Sequence, residues 1–257
     1  MLAYVSAGSG PPLLLIHGIG HNHRGFDDVA PRLQDAFTTY AIDLPGFGDS
    51  APLEGPPTMR ALADACAAFM ADQGHSRFHV AGNSLGGAIT LHLALDGRAL
   101  SACALCPAGF DEGWERVFLH VSLMNTQAIA PLGAKVVRAA GGSAAVRRAV
   151  GRQVAEHGDR LSAAVIVDTF ERLAAAPAGR STRRHAINWR CPSVATLPCP
   201  TTVLWGEQDK LLLYKPQSAR ARERLPTADH VSVPDCGHLP MWDAPELTAA
   251  TIRSACG

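Results

Sequence analysis

Short apolar runs alternate with longer stretches of helical periodicity along most of the chain. Leu13-Leu14-Leu15-Ile16 is an unbroken apolar run of strand length. Phe37–Ile42, Phe78–Ala81, Leu100–Leu105, Thr201–Trp205 and His230–Val233 are further strand candidates bounded by polar or turn residues. Leu2–Ala7 is another, ahead of the turn Gly8-Ser9-Gly10-Pro11-Pro12. Between these runs the period lengthens. Phe26, Val29 and Leu33 predict one apolar helix face. Thr58 caps a second helix, with Met59, Leu62, Cys66, Phe69 and Met70 inward and Gly74 as its stop. Leu85–Leu95 is almost wholly apolar, as a helix buried against a sheet must be. Tyr214–Leu225 is amphipathic, and Asp243 is placed to cap a last helix toward Ser254. Strands that alternate with helices in this way predict an α/β fold: a mostly parallel, doubly wound sheet with helices on both faces.

The rhythm breaks between Phe110 and Pro192. Strand patterns vanish, and helical segments separated by Gly133, Gly141-Gly142, Gly158 and Pro177-Ala178-Gly179 replace them. This predicts a core of residues 1–109 and 193–257. An inserted helical cap of residues 110–192 follows the strand at 100–105. The first cap segment carries Trp114, Val117, Phe118, Val121 and Leu123-Met124, a wide apolar face that must be buried on the core or over the site.

Chemistry concentrates where predicted strands end, which is where open parallel sheets bind ligands. His17, Asp43, Ser84 and Cys106 all stand at such ends. Gly82-Asn83-Ser84-Leu85-Gly86 matches G-x-S-x-G between a strand and a buried helix. A turn that tight strains the central Ser, needs little bulk beside it, and projects the hydroxyl above the sheet. Ser84 is therefore the candidate nucleophile. The Leu85 N–H points into the same space, and Ile19, in the loop His17-Gly18-Ile19-Gly20, supplies the second oxyanion-hole N–H. Asp209 and His238 follow later strands, so Ser84, Asp209 and His238 stand in the order Ser, acid, His. His238 would move the Ser84 proton, and Asp209 would fix the imidazole tautomer. Asp111 is the rival acid. His17 and Asp43 read as braces of their loops. His21 and His23, two residues apart with no partnered motif, make a poor metal site.

Composition narrows the class. Net charge is zero, which speaks against a nucleic-acid partner. No apolar run reaches membrane-span length, and no signal peptide is expected. Seven Cys, an odd number scattered along the chain, suit reduced thiols in a cytoplasmic protein. One local bias stands out: Ala134–Arg190 holds eleven Lys and Arg against four Asp and Glu, a formal +7. It would either attract an anionic substrate or solvate outer helix faces.

Taken together, His17-Gly18-Ile19-Gly20, Asp43–Ser50, Gly82–Gly87, Trp205-Gly206-Glu207-Gln208-Asp209 and Gly237-His238-Leu239-Pro240 resemble the α/β-hydrolase superfamily. The resemblance implies that fold and a Ser-type triad. It also implies a serine hydrolase that cleaves an ester-type acyl bond of a small, fairly apolar substrate through an acyl-enzyme. Asn83 before the nucleophile resembles the C–C bond hydrolases of aromatic-ring degradation, which usually carry a bulky aromatic where this chain has Leu239. That activity, or a non-hydrolytic lyase or binding protein of the same fold, is the alternative. Trp114, Phe118, Met124 and Leu239 are candidate substrate contacts. The expected partner is a small molecule, with no nucleic acid, no membrane, no metal and no cofactor.

Overall fold

The apolar run Pro12–Ile16 forms a strand, β2, that is buried on both sides. Leu14 and Ile16 join the core on one face of the sheet, and Leu13 and Leu15 join the core on the other. This two-sided burial is why the run does not alternate with polar residues. The computed structural model describes residues 1–176 and 179–257. Its sheet adds β1 (Tyr4–Ala7), β3 (Thr38–Ile42), β4 (Phe78–Asn83), β5 (Ala99–Leu105), β6 (Thr201–Gly206) and β7 (Asp229–Val233). The strand order is β1-β3-β2-β4-β5-β6-β7, parallel throughout except for the edge strand β1. Helices α1 (Met59–Asp72) and α2 (Leu85–Leu95) pack on the Leu14 face. Residues of the last helix pack on the Leu13 face, together with Phe26, Val29 and Leu33.

Those three apolar residues are buried as expected, but not by an α-helix. Two short 3₁₀ turns stand there instead: Phe26 ends His23–Phe26, and Val29 and Leu33 flank Ala30–Arg32. Pro31 lacks an N–H and its ring blocks a helix running in from Asp27, so the segment is split there.

Between β5 and β6 the described chain is helical: α3 (Trp114–Ala140), α4 (Ala144–Gly151), α5 (Ala163–Ala175) and α6 (Gly179–His185). The two ends of this insertion meet, the Cys191 N–H donating to the Gly109 carbonyl at 3.1 Å. Gly133 does not separate helices as expected. It lies inside α3, where a Cβ would stand 3.0 Å from the Phe170 ring of α5, so its bareness lets the two helices close. Of the expected break at Pro177-Ala178-Gly179, Pro177 and Ala178 lie outside the described residues, and Gly179 begins α6.

After β6 come α7 (Tyr214–Arg224), a single turn α8 (Pro240–Asp243) and α9 (Pro245–Cys256). Asp243 does not cap α9; Ala244 holds that position without a side-chain bond. The Asp243 carboxylate turns instead to the insertion. It accepts the N–H groups of Glu156 (2.9 Å), His157 (2.8 Å) and Gly237 (2.7 Å). The Leu239 N–H donates to the Val154 carbonyl at 2.9 Å. The loop after α4 is thereby fastened to the loop that carries His238.

Candidate active site

The site gathers at the carboxyl end of the sheet because β2, β4, β5 and β6 are parallel neighbours that deliver their following loops to one edge. After β4 the chain turns on Ser84, at φ 58 and ψ −114, and enters α2 at once. A non-glycine residue there is strained. The glycines on either side make the turn possible. A Cβ on Gly82 would lie 2.4 Å from the Gly86 carbonyl oxygen, and one on Gly86 would lie 2.2 Å from that of Ile16. The Ser84 N–H is fixed by the Leu105 carbonyl (2.9 Å), and its carbonyl accepts from Ala88 and Ala108 (both 3.0 Å). The turn is thus held from both of its ends.

His238 follows β7. Its Nδ1–H donates to Asp209 Oδ2 at 2.8 Å, and the pair is buried. The other carboxylate oxygen, Oδ1, accepts from the N–H groups of Leu211 and Leu212, both at 2.9 Å. Asp209 is therefore oriented by the turn after β6, and it sets the tautomer that leaves His238 Nε2 unprotonated. Ser84 and His238 line the same cavity, without a direct hydrogen bond between them among the described residues. Separations of this kind are common before substrate binds. Asn83 ties the two loops together, its Nδ2 donating to the His238 carbonyl at 2.9 Å and to the Leu105 carbonyl at 3.2 Å. Asp111 sits elsewhere: its carboxylate accepts from Arg190 at 2.9 Å, which links the two ends of the insertion.

On the other side lies the His17–Gly20 loop. Buried His17 accepts the Leu44 N–H on Nε2 (2.9 Å) and donates from Nδ1 to the Gly18 carbonyl (2.7 Å). Burial pulls its pKa down to about 4, so the ring is neutral. Asp43 holds the neighbouring loop, its carboxylate accepting from His23 N (2.7 Å), His23 Nδ1 (2.8 Å) and Asp49 N (2.8 Å). Burial alone would raise its pKa, yet these bonds keep it below the ordinary carboxylate value. Ile19 lines the cavity beside Ser84. Leu85 is the first residue of α2, so its N–H has no partner within the helix.

Among the described residues one group has metal-donor atoms close together: Cys106, Asp209 and His238, all within 4.8 Å of one another. Each is already engaged, Asp209 with His238 and Cys106 Sγ with the Gly206 N–H. His21 and His23 belong to no such group.

Residues 13–251 match the sequence profile of the alpha/beta hydrolase family. The chain belongs to that family. An uncharacterised protein of Mycobacterium tuberculosis is 29% identical over 257 residues, spanning 95% of this chain and 74% of its own. Among solved structures, a thermophilic esterase from Thermogutta terrifontis is 26% identical with a TM-score of 0.74, covering 98% of this chain and 92% of that one. A bacterial membrane phospholipase A is 28% identical with a TM-score of 0.75, covering 98% of this chain and 81% of that one. The protein is an α/β-hydrolase enzyme, and no helix among its described residues is long and apolar enough to cross a membrane.

The hydrolase's cavity measures about 80 Å³. Its outer wall comes from the insertion: Leu123 and Thr126 of α3, Gln153 and Val154 after α4, and Thr169, Phe170 and Leu173 of α5. Leu239 also lines it. Trp114, Phe118 and Met124 do not; they are 66%, 37% and 54% exposed. The reason is helical phase. Leu119, Leu123, Thr126 and Ala130 form the inward face of α3, and the bulkier stripe lies on the outside. A second apolar stripe at Leu119, Leu123, Ala130, Ala134 and Val137 was the available signal, masked by its smaller side chains. Gln153 and Val154 sit in a turn with no periodic pattern. No Lys or Arg lines the cavity among the described residues, so the insertion's positive excess lies outside it.

Proposed function

We propose that the protein is a serine hydrolase that cleaves the carboxylic ester, or a similar acyl bond, of a neutral and mainly apolar substrate. The observation that carries this reading is that His238, bonded to buried Asp209, lines the same cavity as a Ser held at φ 58. Ser84 Oγ attacks the acyl carbon as His238 Nε2 takes its proton. The oxyanion that forms is met by the Ile19 and Leu85 N–H groups. His238 then protonates the departing alcohol, and water repeats the sequence on the acyl-enzyme. Asp209 orients the imidazole and stabilises its charged form. Residues 1–109 and 193–257 act as the catalytic core, and 110–192 act as the cap that closes over it. Every role is met by a side chain or a backbone amide, so this chemistry requires no cofactor.

Three further points support the reading. Solved structures above 25% identity that cover 98% of this chain include one named an esterase and one named a phospholipase A. The uncharged cavity favours a neutral substrate over an anionic one. The scattered, buried, unpaired thiols fit a cytoplasmic enzyme. The test is turnover of p-nitrophenyl acetate and butyrate. Ser84→Ala should lower kcat by several orders of magnitude, and an active-serine phosphonate should label the native protein once per chain. Equal turnover by Ser84→Ala would defeat the assignment.

A further inference from the structure

The cavity at Ser84 is about 80 Å³. Beside it in the cap lies a second cavity of about 330 Å³, between α3, α4 and α5. The two share four lining residues: Thr126, Gln153, Val154 and Phe170. We propose that the second cavity is the subsite for the distal part of an unbranched hydrocarbon chain whose acyl carbon lies at Ser84. The inference rests on the serine-hydrolase reading and names the class of substrate it acts on.

Three observations point to that occupant. The first is adjacency: the groove lies directly behind the wall that Thr126, Gln153, Val154 and Phe170 give the Ser84 cavity. The second is chemistry. Ile129, Leu132 and Val136 of α3 face Val150 of α4 across it, and no ionisable side chain lines it among the described residues. Its two polar side chains, Thr126 and Gln153, stand at the wall shared with the first cavity, the Thr126 hydroxyl 2.5 Å from Gln153 Oε1 and 2.8 Å from the Ser122 carbonyl, to one of which it donates at a time. Beyond them the groove offers a hydrocarbon only apolar residues. The third is length. From Thr126 to Val136 the helix advances about 15 Å. An extended chain covers roughly 1.2 Å per bond, so the groove spans about a dozen bonds. Gly133 fits the same picture. A Cβ there would press on Phe170, the ring common to both cavities.

The test compares p-nitrophenyl acetate, butyrate and hexadecanoate. The wild type should prefer hexadecanoate by kcat/KM. Val136→Phe and Ala149→Phe fill the groove from exposed positions of its lining, where added bulk does not disturb the core. Each should lower the hexadecanoate-to-acetate ratio at least about tenfold. An unchanged ratio in both variants, with Ser84-dependent turnover of acetate intact, overturns the subsite alone. So does a dimer in solution that Val136→Glu dissociates without altering the length profile, since a second copy would then fill the groove. Absence of Ser84-dependent turnover of any ester overturns the hydrolase reading. Calorimetry of the hexadecanoate ester with Ser84→Ala then decides the groove separately: binding that both fillings weaken about tenfold supports it, and binding they leave alone refutes it.

Discussion

Ser84 is a residue whose backbone is worse than its sequence requires. Holding a non-glycine residue at φ 58 costs about 1–3 kcal/mol, and Gly82 and Gly86 exist on either side to make the turn fit. Replacing the residue by glycine should release that cost. Ser84→Gly is expected to abolish turnover and raise Tm by a few degrees, measured by calorimetry. The two acids separate in the same way. Asp209→Asn should cut kcat sharply, because it upsets the imidazole tautomer, and leave folding largely intact. Asp111→Asn should leave kcat nearly unchanged and lower Tm, because it leaves Arg190 short of its buried partner. The turn at Ser84 was legible because its glycines answer a local steric demand. The part played by Asn83 was not. Its amide bridges Leu105 and His238, residues 22 and 155 positions away, and no local pattern encodes that.

At the scale of elements, strands and core helices were legible because burial on both faces leaves an unbroken apolar run. The cap was harder, and α3 is the clearest case. It carries two apolar stripes, and the bulkier one, from Trp114 to Met124, faces outward. Apolar residues are common on surfaces, so bulk alone does not mark the inner face. Leu123→Ala should therefore change kcat/KM for long esters, whereas Trp114→Ala should alter neither rate nor Tm appreciably. Asp243 teaches a related lesson. At a helix start it reads as a cap, but its acceptors are spent on Glu156, His157 and Gly237. Asp243→Ala would leave three N–H groups without that partner. It should lower Tm and raise KM more than it lowers kcat, because the cap loop and the His238 loop lose their common anchor.

The whole molecule holds one neutral imidazole fully buried, His17, and several more half-buried. Burial depresses the pKa of His17 to about 4, and it also lowers those of His21, His79, His92 and His230 from 6.5. Between about 6.5 and about 4 the unfolded chain binds protons that the folded chain refuses, so stability falls as pH falls through that window. Asp43 adds a loss below the ordinary carboxylate value, since its folded pKa is depressed. Thermal melts across the window should show Tm dropping with acid, and His17→Gln should shallow the slope. The seven thiols have a different use. All are buried, and burial pushes Cys66 and Cys191 up to about 12 and Cys256 to about 11, with the other four raised as well. The thiolate is the form that attacks an alkylating reagent, so the native protein should resist maleimide. Six of the thiols lie outside the insertion and Cys191 lies where it rejoins the sheet. Labelling rates would therefore clock the opening of the core and ignore movements of the cap. A single cysteine introduced at exposed Val121 would give a dye one reactive anchor, from which the cap's own motion could be followed by fluorescence.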